Sequence, residues 1–277
     1  MRAVLNREAT VRLRVDDESG ALVAPVSLPT LTVTDPGGAT VPAGTVTEIE
    51  TGVYEAVLGP QSVLTRLTAV WSVPVSGSHT RSVTETVDIV ERRIVPLHRL
   101  REDPEMSDLS AEAMTRLSDI VDDWFRDALR FPAVREYGRV TVRPDRSKAI
   151  LYLPGIVYPK SIRSITVDGT AVDDLSTYSV VAGGIHSESG WLTDSTVVVE
   201  VEHGGPAAFD GGPPASIVRA AIILARYTSR GSNYPERARQ VATEGALITF
   251  SAPSPDRPTG LPEVDTAINK HRFDPVV

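Results

Sequence analysis

The sequence predicts an α+β chain of two domains: an N-terminal β-sandwich, then a helical domain that carries a β insert and ends in an extended tail. Three observations predict it. Residues 1–92 alternate apolar and polar positions between closely spaced turn signals. Two later stretches, near residues 108–130 and 215–229, carry apolar residues at helical spacing. The last stretch, residues 251–277, is proline-rich and then holds one short amphipathic run.

Length and composition agree with this division. A chain of 277 residues holds two domains more often than one. With 41% hydrophobic and 23% charged residues it has material for a substantial core. It has no cysteine, which excludes disulfides, thiolate zinc sites and cysteine nucleophiles. No run approaches the ~20 apolar residues of a membrane-crossing helix. Arg7, Glu8, Arg12 and Arg14 stand where a signal peptide needs apolar residues, so synthesis in a cytoplasm without export by the common route is expected. The net charge of −8 argues against a protein whose main task is gripping nucleic acid, and leaves room for a surface that DNA slides past. Of 28 basic residues only Lys148, Lys160 and Lys270 are lysines, a bias that GC-rich coding explains.

In the first domain, Thr10-Val-Arg-Leu-Arg-Val15 and Leu31-Thr-Val-Thr34 alternate strictly. Gly52-Val-Tyr-Glu-Ala-Val-Leu58 has the β-branched and aromatic content of a strand. Asp17-Glu-Ser-Gly20, Asp35-Pro-Gly-Gly38, Gly59-Pro60 and Ser76-Gly-Ser78 supply turns. Strands at residues 67–73 and 82–89 follow, making about seven, the pattern of an immunoglobulin-like (Ig-like) sandwich. Tyr54 and Trp71 are its large candidate core residues.

Residues 93–107 read as a charged linker, with Pro96 closing the sandwich. The first helix starts at Asp108 or Ser110, both good N-cap types, and stops before Pro132. Its apolar stripe is Ala113, Leu117, Ile120, Val121, Trp124, Phe125, Ala128 and Leu129, which places Asp119, Asp122, Asp123 and Asp127 on the wet side. A β insert occupies residues 138–203, with strands at 139–142, 149–153, 161–167, 178–181 and 196–201 and a tight hairpin at Asp168-Gly169. The second helix, 215–229, offers Ile217, Val218, Ala221, Ile222, Leu224 and Ala225 to the core. Arg219, Arg226 and Arg230 form one basic stripe, and residues 235–250 read as a further helix. The C-terminal segment carries Leu261, Val264 and Ile268 on one face of a helix too short to stand alone, so it must dock on its own domain or on a neighbour.

Chemistry-bearing patterns are missing. No Gly-rich loop ends in Lys-Ser/Thr, and neither a G-x-S-x-G elbow nor an H-E-x-x-H pair occurs. His186-Ser-Glu-Ser189 lies between glycines and reads as a turn, and Asp16-Asp17-Glu18 lacks the regular ligand spacing of a calcium loop. His79, His98, His203 and His271 are far apart, with no pair at metal-ligand spacing. The expectation is a protein without catalytic residues, metal or cofactor.

Residues 108–272 resemble the head-to-tail connector (adaptor) family of long-tailed bacteriophages. The match runs in order through the acidic amphipathic helix, Leu151-Tyr-Leu-Pro-Gly155 with its following strand and Asp168-Gly169, then Trp191 and the strand ending Val201-Glu-His-Gly204. Pro213-Pro214 before an Ala-rich helix, and Gly260-Leu-Pro-Glu-Val-Asp-Thr-Ala-Ile268, complete it. The N-terminal Ig-like domain is a departure from simpler members. The resemblance implies a non-enzymatic helical connector domain over residues 108–250 and a docking tail over 251–277. It implies a closed ring of about twelve copies in the virion neck, in which each copy presents two different complementary surfaces. The implied partners are the portal protein, a tail-side stopper or terminator protein, and double-stranded DNA passing without sequence-specific binding; no membrane is involved. Leu261, Pro262, Val264, Asp265, Ile268 and Arg272 would touch the portal. Arg219, Arg226 and Arg230 would pair with Asp119, Asp122, Asp123 and Asp127 of the next copy, or face the channel. An alternative is a cell-surface or carbohydrate-binding protein that uses the Ig-like module.

Overall fold

The structure, a computed structural model, describes residues 1–76, 79–144, 149–181, 183–229, 240–243, 246–249 and 259–273. The chain divides into two compact units, Met1–Arg92 with Glu136–Gly138, and Arg93–Arg135 with Arg139–Val277.

The first unit is a two-sheet sandwich. One sheet holds β1 (Arg2–Val4), β3 (Thr30–Thr34), β4 (Thr40–Val41), β7 (Thr65–Ser76) and β8 (His79–Val90), in the order β1-β8-β7-β3-β4. The other holds β2 (Ala9–Arg14), β5 (Thr47–Glu50) and β6 (Val53–Leu58), in the order β2-β6-β5. Strict alternation in β2 sends Val11 and Leu13 inward, where they meet Tyr54, Ala56 and Leu58 of β6 and Leu67, Ala69, Trp71 and Val73 of β7 in one core. Trp71 is fully buried and Tyr54 nearly so. The tyrosine hydroxyl donates to Glu48 at 3.1 Å, giving its polar end a partner at the edge of the apolar interior. Asp17 and Asp35 each accept backbone N–H groups at their turns, so the acidic cluster at 16–18 is turn chemistry.

The second unit opens where a linker was expected. Residues 93–107 include the short helix α1 (Leu97–Arg101), and Ile94, Val95, Leu100 and Met106 are buried. The linker reading weighed the charges and missed these four apolar positions. Helix α2 (Ala111–Leu129) is capped by the Ser110 hydroxyl, which accepts from the Ala113 N–H at 3.1 Å, and it ends in left-handed Arg130 before Pro132.

The β insert forms two small sheets. β12 (Thr170–Ala171), β11 (Pro159–Val167), β15 (Val197–His203) and β9 (Glu136–Val142) make one in that order. β10 (Ile150–Tyr152), β14 (Gly184–Ser187) and β13 (Tyr178–Val181) make the other. Leu151, Leu153, Ile165, Ile185, Trp191, Val197, Val199 and Val201 share their core. Asp168 and Gly169 both have positive φ, the condition for the tight turn that joins β11 to β12. β14 was not foreseen. Gly184 is required there because a Cβ would stand 2.5 Å from the Leu151 carbonyl oxygen. His186 therefore lies on a strand, and the turn begins after it, with Gly190 N–H donating to the Ser187 carbonyl at 3.2 Å.

Helix α3 (Ala215–Ser229) follows Pro213-Pro214 and buries Ile217, Ala220, Ala221, Leu224 and Ala225. Val218 and Ile222, expected in the core, are only half-buried. Within the helix expected over 235–250, the described residues are instead two paired antiparallel strands, β16 (Gln240–Thr243) and β17 (Ala246–Thr249), and the other positions lie outside the described residues. The β-branched residues Val241, Thr243, Ile248 and Thr249 outweigh the weak helical spacing that suggested otherwise. α4 (Pro262–His271) ends the described chain and packs on α3 and α2. The molecule is thus mixed α+β, and among the described residues its second unit holds nearly as much strand as helix. Among the described residues no helix is long and apolar enough to cross a membrane.

Candidate docking surfaces of the second unit

The tail is built as a latch. Pro262 sits in the first turn of α4, where its missing N–H costs nothing. Asp265 is buried and its Oδ1 accepts from both the backbone N–H and the hydroxyl of Thr259, at 3.0 and 2.7 Å. The same hydroxyl accepts from the Leu261 N–H at 3.0 Å, so the entry to the helix is closed on itself. Val264, Ala267 and Ile268 are buried within the unit. At the far end Ser216 Oγ lies 3.1 Å from His271 Nε2, and the Phe273 N–H donates to the Leu129 carbonyl at 3.1 Å. Phe209 meets the His271 ring edge-on, and Phe273 meets Tyr158 in the same way.

The expected portal-docking set is therefore divided. Val264, Asp265 and Ile268 face their own unit, a correction to the outward-reaching tail, because α3 and α2 supply the apolar surface they need. Leu261 and Arg272 are half-buried and Pro262 is exposed.

The acidic helix is also divided. Asp123 and Asp127 are exposed as expected. Asp122 is buried, and its Oδ1 accepts the Ile94 N–H at 3.3 Å. Asp119 is bound to the buried guanidinium of Arg93, Nη1 to Oδ1 at 2.5 Å. These two carboxylates belong to the inner face because the segment after the first unit returns across α2. Ile120, expected in the core, is 48% exposed.

On α3, Arg226 holds the buried carboxylate of Asp103 at 2.6 Å, and Arg219 lies 3.7 Å from Glu263 with both side chains largely exposed. Both pairs lie inside the unit, whereas partners on a neighbouring copy were expected. Arg230 lies outside the described residues. Arg99, Arg219, Arg226 and Glu263, with the aliphatic residues Val218, Ile222 and Ile223, line a groove of about 630 Å³. Sequence reasoning missed Arg99, Asp103, Thr259 and Glu263; Asp103 and Arg226 stand 123 residues apart, beyond any spacing rule. Among the described residues no group of three His, Asp or Glu side chains is placed to hold a metal.

No family model matches the sequence, and no curated protein matches it. Among solved structures, the chain is similar to the Lin-41 filamin domain, at 25% identity over 32% of this chain and 83% of that one, with a TM-score of 0.24. It is also similar to the neck of an empty GTA particle computed with C6 symmetry, at 14% identity over 66% of this chain and 92% of that one, with a TM-score of 0.44. Each likeness covers part of the chain.

Proposed function

We propose that this chain is a structural adaptor of a long-tailed phage neck and not an enzyme. In this reading it forms a ring that joins the portal to the tail-side stopper or terminator protein, and the ring surrounds the channel through which double-stranded DNA passes. The observation that carries the reading is the order of signals along residues 108–273. A capped helix with two exposed aspartates is followed by the Leu153-Pro154 step, the Asp168-Gly169 hairpin, the Pro213-Pro214 helix start and a terminal helix entered through Gly260-Leu-Pro. Each signal falls at an element boundary, and together they are the features through which the sequence resembles connectors. No cofactor is required for such a role.

Val264, Asp265 and Ile268 hold α4 to its unit in this reading, and Leu261, Pro262 and Arg272 form the accessible part of the portal contact. The carbohydrate-binding alternative needs exposed aromatic rings on the first unit, and Tyr54 and Trp71 are both buried. The test is to mix the purified chain with portal rings encoded beside it and image the product by electron microscopy. A ring seated on the tail-facing side of the portal is expected; a chain that stays monomeric and never associates sinks the reading.

A further inference from the structure

We infer that the open edge of β8 pairs antiparallel with the same edge of a second copy of this chain, in a register centred on Val83. β1 lies beside β8 only at Asp88–Val90, and β7 lies on the other side. Thr80 to Glu85 therefore form the outer rim of the five-stranded sheet, with no strand beyond them among the described residues. The register with β7 is unbroken from Thr80 to Ile89, and the rim holds no proline. A regular, unshielded rim of this kind is a template for another strand.

Its backbone is already aimed outward. The Asp88 N–H donates to the Met1 carbonyl at 3.0 Å, and the Thr86 carbonyl accepts from the Met1 amine at 3.0 Å. Direction alternates along a strand, so Ser82 and Thr84 turn their N–H and C=O groups to that same side. Side chains alternate as well. Arg81, Val83 and Glu85 share the face of buried Val87 and Ile89, and Ser82 and Thr84 are exposed on the other.

Charge selects the occupant. Thr80-Arg-Ser-Val-Thr-Glu-Thr86 is nearly symmetric about Val83, with opposite charges at equal distances from it. An antiparallel copy centred there sets Val83 on Val83, and sets Arg81 on Glu85 and Ser82 on Thr84 on both sides. Ser82 and Thr84 exchange backbone hydrogen bonds, while the charged pairs fall at the closer, non-hydrogen-bonded positions. Moving the centre by one residue, to Ser82 or Thr84, separates Arg81 from Glu85. Like charges would guard the rim against itself, whereas opposite charges at mirrored positions invite a copy. Neither Arg81 nor Glu85 has an ion-pair partner among the described residues. Burial, opposed by the Met1 amine, raises the Glu85 carboxyl above its ordinary range, as befits a carboxylate with no close cation. The contact is isologous and closes at two copies, so it is distinct from any contact that builds a ring and does not rest on the ring reading.

The chain has no cysteine, so one introduced at the centre reports the pairing. In the full chain under gentle oxidation, Val83→Cys should form a disulfide-linked dimer about tenfold faster than Thr84→Cys, which is more exposed but faces Ser82. Arg81→Glu in the Val83→Cys background should slow cross-linking about tenfold, because glutamate then meets Glu85, and adding Glu85→Arg should restore it. Thermal melting checks that each variant keeps its fold. Equal rates for the two cysteine variants, or a paired reversal that fails to restore the rate, overturns the inference. In the unaltered chain the Ser82 and Thr84 amides should exchange more slowly as protein concentration rises. Protection of these amides that appears only when portal rings are added assigns the edge to a foreign strand and also overturns it.

Discussion

Asp122 and Arg93 are two of the buried polar residues at which the second unit departs from a simple apolar core. A buried carboxylate costs several kcal/mol unless it is hydrogen-bonded or paired. Here the Ile94 N–H serves Asp122, and the Arg93 guanidinium, itself buried, serves Asp119 one turn earlier. The pair clamps residues 93–95 to α2 and aligns the chain for α1. Arg93→Ala should lower stability by about 2 kcal/mol, between the values for exposed and fully buried ion pairs. Arg116→Ala, which removes the exposed pair with Glu112 on the same helix, should cost below about 0.5 kcal/mol. Urea denaturation of both variants checks this, and equal losses would mean the clamp contributes nothing special. Such a clamp is invisible to helical periodicity, because periodicity assumes that every charge wants water. Ser110 and Asp168-Gly169, by contrast, were legible, since a cap and a tight turn are set by neighbours within three or four residues.

Among the elements, α4 is where a local device meets tertiary packing. Its helix is short for independent stability, so docking on α3 and α2 must hold it. Acidic Glu263 and Asp265 lie in the first turn and Lys270 and His271 in the last, the arrangement that complements the helix dipole. Burial against Phe209, and then the charge of Lys270, lower the His271 pKa below its ordinary value. The folded form thus binds its proton less readily than the unfolded one. The contribution of neutral His271 is present above the ordinary histidine pKa of about 6.5 and is lost as pH falls through the folded value. Amide exchange of residues 262–273, corrected for intrinsic rate, should accelerate between pH 7.5 and 5.5, and His271→Gln should remove most of that change. Unchanged dependence in the variant would assign the effect to another group. The sequence marked this helix through Gly260-Leu-Pro and its three apolar positions. Its docking surface was illegible, because either an own-domain or a foreign partner satisfies the same stripe. β14 was missed for a different reason: a four-residue strand opened by glycine has no room to display a period.

For the whole molecule, the sandwich core and the insert core draw on separate stretches of sequence, although Glu136–Gly138 group with the first unit. Every buried residue of the sandwich core lies between Ala3 and Ile89, and the insert core runs from Leu151 to Val201. A fragment of residues 1–92 should therefore unfold cooperatively on its own, with the blue-shifted emission of a buried Trp71. The same fragment should show no binding on glycan arrays, since its two aromatic rings are inside. Red-shifted emission without a transition would show that the sandwich needs the rest of the chain. Separate cores explain why the sandwich pattern was readable as a self-contained stretch, whereas the second unit, assembled from segments as distant as Ile94 and Phe273, was readable only in pieces.

The Thr259–Asp265 latch also bears on how this protein can be labelled. Thr266 is exposed on the helix that the latch fixes, and the chain has no cysteine. A single Thr266→Cys variant would therefore carry one maleimide dye rigidly held on the second unit.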